Sequence, residues 1–544
     1  MRVTTRALGA VTASVLALGL AACGEDDGAG GGGDDAITVR GCNPENPLIT
    51  LNTAETCGGD VLDVTTAKLI EYNLETGEPE NDILESFETT DNINFTVKIK
   101  QGYKFSDDTE VKAKNFVDAW NYGAYQPNAQ ASSYFFGAAA IDGYDEVQCA
   151  ETDDEGACTK DPVAETMSGL KVVDDYTFTI KTSQKVSNLL VRLGYTAFAP
   201  LPDVFFEDPE AFGEKPVGAG PYYVDSWDKT KQIVVKKNPH YSGDFPGNVE
   251  QITFKIYNDD NAAYKDVVSG KLDVINQVPT TELQNYKDDL EGRNGERDMG
   301  GIQTIAFDPK GKDAAAALAK PEVRQAISMA IDRQTIVDTI FQGTRQPATG
   351  WVSPVVDGFE AGACGEFCEF DPEGAKALLA EAGGFDGKLA LYVNGDADHK
   401  PWADAACNSI RQNLEVECTT EVTKDFDQLN LYKEENRISF FRAGWQMDYP
   451  SIENFLAPLY GTGADSNEYS YSNPEFDAKL KEAAAATDPA EANALYQEAE
   501  KMLAADMPVI PTWYPSVQIG WSDRVNEVKI DPFGVPDYAG ITLK

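Results

Sequence analysis

From Ile37 onward the chain alternates short β-branched runs with amphipathic helical stretches, and this alternation restricts it to α/β architecture. Strands are expected over residues 94–100, 177–181, 232–236 and 251–256. Helices are expected over 113–122, 323–340, 372–382, 402–414, 475–486 and 489–505. The last of these opens with Asp488 as N-cap and Pro489 in the first turn. No repeat of about 20–50 residues is present, which argues against solenoids and propellers. At 544 residues there is material for several domains, each with its own core.

Charge removes whole classes of function. With 45 basic against 90 acidic residues, the net charge is −45. Such a surface lacks the basic face that phosphate contacts demand, so nucleic acid is excluded as a partner. Docking on anionic lipid through a basic patch is disfavoured for the same reason. Only His240 and His399 are available as histidines, so a His-rich zinc site is ruled out. Neither HExxH nor GxSxG occurs. A secreted hydrolase using paired carboxylates is the one enzyme reading the acids leave open. No cofactor and no metal are expected.

Arg2 and Arg6 precede an apolar run, residues 7–20, that ends in Leu20-Ala21-Ala22-Cys23. This is the layout of a signal peptide, and the run is short of the roughly 20 residues a bilayer span needs. The small-small-Cys ending resembles the lipobox of bacterial lipoproteins. It implies a signal peptide over 1–22, a diacylglycerol on the Cys23 thiol and attachment to the outer face of the cell membrane. Residues 23–35 then read as lipidated cysteine and flexible charged tether. Gly28 to Gly33 match GxGxxG in form, but no strand precedes them and no helix follows, so a dinucleotide site is rejected.

Eight further cysteines, an even number, fit an oxidising exterior. They fall in local pairs: Cys42 and Cys57, Cys149 and Cys158, Cys364 and Cys368, Cys407 and Cys418. Local pairing is expected, although eight thiols admit about 105 connectivities. Cys364 and Cys368 lack CxxC spacing and read as a loop staple. The acidic loops at 142–161 and 358–369 each carry one pair and read as surface insertions.

Several segments share one further property. They are residues 101–109 (QGYKFSDDT) with 111–117 (VKAKNFV), 218–222 (GAGPY), 237–241 (KNPHY), 323–327 (VRQAI) with 330–333 (AIDR), 443–449 (AGWQMDY) and 471–477 (YSNPEFD). In this order they resemble the extracytoplasmic substrate-binding proteins of bacterial ATP-driven peptide and nickel importers. The resemblance implies a two-lobed α/β fold of the type II periplasmic-binding-protein kind, with an extra subdomain and no catalysis. Lobe one would be residues 36–300 plus 514–544, with the subdomain inserted at about 75–170. Lobe two would be 301–513. Crossover strands near 301–308 and 509–514 would form the hinge. A monomer is implied, delivering oligopeptide to an importer permease.

The stretch from Arg442 to Pro450 resembles the corresponding segment of oligopeptide-binding members. It implies that Asp448 pairs with a peptide's α-ammonium and Arg442 with the carboxylate of a short peptide. Gly444, Trp445, Gln446 and Met447 would offer backbone to an added strand. The sequence departs from its relatives at Pro450-Ser451, where many continue x-Asp-Pro. His399 resembles a histidine that meets longer peptides, and Lys433 stands where a second arginine falls. The loop Asn52, Thr53, Ala54, Glu55 and Thr56 would form the opposing edge, shaped by a Cys42–Cys57 bridge. Trp513 and Tyr514 either line a side-chain pocket or pack the hinge. The same fold could instead hold oligosaccharide, nickel or a metal complex, or serve a peptide-sensing surface receptor.

Overall fold

A computed structural model describes residues 35–53, 55–152, 158–313, 315–395, 397–464 and 466–544. The signal segment, Cys23 and Ala54 lie outside these residues. Strand patterning decides the layers. Gly301–Phe307 and Val509–Tyr514 are buried at every position, as central strands covered on both faces must be. They sit side by side in a six-stranded sheet ordered Gln346–Pro347, Val509–Tyr514, Gly301–Phe307, Phe440–Gln446, Lys388–Asn394, Glu417–Thr423. Helices including Pro321–Met329 and Lys400–Leu414 close this lobe around buried Trp351, Trp402 and Trp513.

The other lobe has a seven-stranded sheet. Its strand Ala36–Gly41 runs parallel to Gln251–Ile256, and Ser516–Trp521 from the chain's far end pairs with Asn294–Asp298. A third body packs on Leu84–Thr89, Asn94–Ile99, Leu170–Asp174 and Thr177–Lys181, an antiparallel sheet backed by helix Ala113–Ala124. Asn94–Ile99 alternates exposed and buried side chains, the signature of a sheet wet on one face. The apolar cluster of this body runs from Ile49 to Ala219.

Two short connections join the lobes. Asn294–Asp298 of the seven-stranded sheet passes through Met299 and Gly300 into Gly301–Phe307 of the six-stranded one, and Val509–Tyr514 returns through Pro515 into Ser516–Trp521. The connections touch, since the Met299 N–H donates to the Pro515 carbonyl at 3.1 Å. Among the described residues no helix is long and apolar enough to cross a membrane.

One expected helix is two. The periodic stretch 323–340 breaks into Pro321–Met329 and Arg333–Ile340. Asp332 caps the second by accepting from the Thr335 N–H, so its side chain restarts a helix that apolar spacing alone would continue. The four local disulfides form as expected, with Cα–Cα distances of 5.2, 5.5, 5.6 and 5.0 Å.

Candidate functional site

The strand Phe440–Gln446 organises the cleft. One edge pairs with Gly301–Phe307 over its full length. The other edge is paired with Lys388–Asn394 only at Tyr392↔Phe441. Past that point, among the described residues, no strand covers Ala443 to Gln446 on this side. Gly444 and Gln446 are exposed, and Gly444 is needed for close approach: a Cβ there would meet the Ile302 carbonyl at 2.8 Å. Met447 is already used, because its N–H donates to the Gly300 carbonyl and its side chain is buried. The Met447 N–H therefore does not join the expected strand-pairing set.

Asp448 follows directly and is half-buried. Asn454, in helix Ile452–Tyr460, donates to its Oδ2 at 3.1 Å and accepts from its backbone N–H at 2.9 Å. The Trp445 indole N–H shares the same Asn454 oxygen at 3.0 Å. Across the cleft, the Tyr134 hydroxyl donates to Asp448 Oδ1 at 3.3 Å. Among the described residues no cation lies within ion-pairing distance of this carboxylate. Burial pushes its pKa up to about 6 despite the hydrogen bonds from Asn454 and Tyr134.

Just beyond, the lobes are tied by charge. Arg192 of the third body pairs with Glu453 of lobe two at 3.1 Å, with side chains only 7% and 8% exposed. Asn188 reaches Ser451 and Glu453, both at 3.3 Å, and the Tyr449 hydroxyl donates to Glu453 at 2.7 Å. Arg192 also donates to the carbonyl of Ala138, the last residue of the short helix that carries Tyr134. Sequence reasoning missed Tyr134, Arg192, Glu453 and Asn454. Only the last two sit near a motif, and nothing local marks Tyr134, which is 314 positions from Asp448.

The remaining expected residues are scattered. The Arg442 Nε donates to Asn394 Oδ1 at 2.8 Å and the guanidinium lies 4.7 Å over the Phe426 ring. Lys433 is held by both oxygens of Glu468 at 2.7 Å. His399 Nδ1 accepts from the Trp402 indole at 3.1 Å. Trp513 packs at 5.1 Å on both Phe341 and Trp402, and the Tyr514 hydroxyl donates to the Gly350 carbonyl. Both are buried and packed into lobe two's core, drawn in by the apolar faces around them. In the opposing loop, Asn52 accepts from the Ala131 N–H, Thr53 is buried and Glu55 caps helix Thr56–Thr65. Among the described residues of that loop, only Thr56 borders the interlobe cavity described next.

That cavity, about 250 Å³, has Arg40, Asp60 and Asn276 on the lobe-one side and Phe341, Arg345 and Gln446 on the other. A second cavity, about 390 Å³, lies within lobe two beside Arg324 and Asp506, away from the cleft. Its charged groups are engaged by neutral neighbours: Arg324 donates to the Met507 carbonyl, and Asp506 accepts from Tyr471 and Asn473. Among the described residues no cluster of His, Cys, Asp or Glu is placed to hold a metal ion.

Residues 78–467 match the family model for bacterial extracellular solute-binding proteins, family 5 (middle region). The oligopeptide-binding protein OppA of Bacillus subtilis is 26% identical over 480 residues, covering 85% of this chain and 84% of that protein. Heme-binding protein A of Haemophilus influenzae is 27% identical over 402 residues, 70% of each. Among solved structures, the Escherichia coli murein tripeptide-binding protein MppA superposes with a TM-score of 0.77 at 22% identity, covering 93% of this chain and 98% of that one.

Proposed function

The chain belongs to the bacterial extracellular solute-binding proteins of family 5, and from that premise we propose that it captures oligopeptides between its lobes for an ABC importer. Proteins of this family are the binding components of transport systems, and the chain is not an enzyme. The observation that carries the peptide reading is Asp448: a carboxylate between the lobes with, among the described residues, no cation partner, beside the part of a strand edge that no described strand covers. A peptide supplies both missing parts, an ammonium for the acid and a backbone ladder for the edge. Pairing through backbone ignores side-chain identity, which suits a carrier of many sequences. The oligopeptide-binding relative in Bacillus supports the same cargo.

Arg442 stands four strand positions before Gln446, roughly 13 Å at 3.3 Å per residue, so it suits the carboxylate of a ligand lying along that edge. Affinity then follows from closure, because a ligand shifts the lobes only by its differential contacts with the two arrangements. Native mass spectrometry of protein purified without denaturation tests the reading directly. Co-purified masses that fragment as peptides support it; a glycan, or the haem suggested by the Haemophilus relative, replaces it. Membrane anchoring through Cys23 belongs to the same proposal and rests on the lipobox-like ending. A Cys23→Ala chain that still incorporates labelled palmitate would remove it.

A further inference from the structure

We propose that Arg345 binds a carboxylate of the captured ligand, in the cavity between the lobes. The inference deepens the peptide reading and rests on it. In a chain with two acids for every base, a cation without a carboxylate partner is unexpected. Among the described residues, nothing hydrogen-bonds or ion-pairs with the Arg345 guanidinium, which instead stacks 3.8 Å over the Phe341 ring.

Its support is built in. Phe341 packs on Trp513, and Trp513 on Trp402, so the stacking face is anchored in the lobe-two core. The turn before Arg345 is fixed at Gln342 and Gly343, both at positive φ, and the Thr344 hydroxyl donates to the Phe341 carbonyl at 2.7 Å. Ser516, at the return connection, donates to the Thr344 carbonyl. Gln346 donates across to Asp298 at 2.7 Å, and Gln346–Pro347 pairs with Trp513 and Tyr514. Arg345 is thus held at the hinge and borders the cavity shared by both lobes.

The other charges around that cavity are spoken for. Arg40 donates twice to Asp260. Asp60 accepts from Asn276 at 3.2 Å and from the Tyr538 hydroxyl at 3.4 Å, and burial raises it to about 7. Among the described residues Asp398 is the carboxylate whose charge acts on Arg345, and burial lowers the guanidinium to about 10, still protonated at neutral pH. Such a group has lost part of its hydration without gaining a partner, and an incoming carboxylate restores it with two parallel hydrogen bonds. Opposite, the Oδ1 atom of Asn276 is buried and, among the described residues, has no donor. A peptide's last residue offers both complements, its carboxylate and its N–H. Gln446, two positions before Asp448 in the chain, lines the same cavity.

Titration calorimetry of the purified full chain with alanine peptides of two to six residues, each as free acid and as C-terminal amide, tests this. Wild type is expected to favour the free acid by about 10- to 100-fold, the range of a charge-assisted contact. At the peptide lengths that seat their carboxylate at Arg345 rather than at Arg442, Arg345→Gln is expected to bind both forms at the amide's affinity, and Arg345→Lys to recover part of the preference. Amides ending in Glu or Gln separate the sources: a Glu preference that Arg345→Gln erases assigns the site to an acidic side chain. An acid preference that survives undiminished at every peptide length in Arg345→Gln overturns the assignment yet leaves peptide capture standing. Equal affinity for acids and amides, Glu and Gln alike, in wild type does the same. If wild type binds none of these peptides, both readings fall.

Discussion

The two ends of the strand Phe440–Gln446 carry opposite charges from one short motif, yet they sit in different surroundings. Arg442, near the start, is engaged inside lobe two by Asn394 and Phe426. Asp448, just past the end, is reached from two bodies, by Asn454 on its own lobe and Tyr134 across the cleft. Its neighbours Tyr449 and Glu453 are tied to Arg192 in the same way. The start of the strand belongs to one lobe, and the end belongs to the contact between them. Groups at that contact respond to both ligand and closure, whereas those at the start respond to ligand alone.

The sharpest way to break this contrast is Arg192→Met. It leaves Glu453 buried without its cation, a change that typically costs about 3–5 kcal/mol. We expect a lower denaturation midpoint and a larger radius of gyration for the ligand-free protein by small-angle scattering. A variant with unchanged values in both would show that the pair does not hold the lobes.

Next in size is Asp448→Asn. Losing a charge-assisted contact to an ammonium should weaken free-amine peptides about 30- to 100-fold while leaving N-acetylated ones unaffected. Equal losses for both would mean the carboxylate does not read the terminal amine.

The pH dependence is gentler. Asp448 binds an ammonium only when ionised, and its pKa is raised to about 6. Affinity should be level above pH 7 and fall as the pH drops through 6, by at most about tenfold per unit. For folding the sign is reversed. A carboxyl whose folded pKa exceeds its unfolded value binds protons more readily when folded, so protonation through pH 6 favours the ligand-free fold at this site. A pH-independent affinity in the Asp448→Asn variant is the matching control.

The smallest effect belongs to Arg442→Gln. Asn394 and Phe426 already occupy part of its bonding capacity, so we expect a loss of about 1 kcal/mol in peptide affinity. A larger loss than that of Asp448→Asn would invert the comparison between the two ends.

Much of the fold was legible because local chemistry repeats. Thr177–Lys181 and Gln251–Ile256 read as strands from β-branched content, and Asp488 with Pro489 marked a helix start that the structure keeps. The four cystines followed from proximity along the chain. What local pattern missed has a common cause. Asp332 restarted a helix through a side-chain bond invisible to hydrophobic periodicity. For Trp513 and Tyr514 the sequence left pocket and hinge packing equally open, and Phe341, Trp402 and Phe359, all distant in the chain, are what packs against them.

Motif by itself determined the family and singled out Asp448 as the residue to watch. These depend on residue type and on neighbours within a few positions. Tertiary structure alone decided which charges still lack partners. Whether Asp448, Arg442, Lys433 or Arg345 is satisfied depends on groups brought from distant parts of the chain, such as Tyr134 and Glu468. An ionised side chain has little choice of conformation in the sequence itself; its partner is set by which surfaces the folded lobes press together, and that is where desolvation and Coulomb energy are resolved.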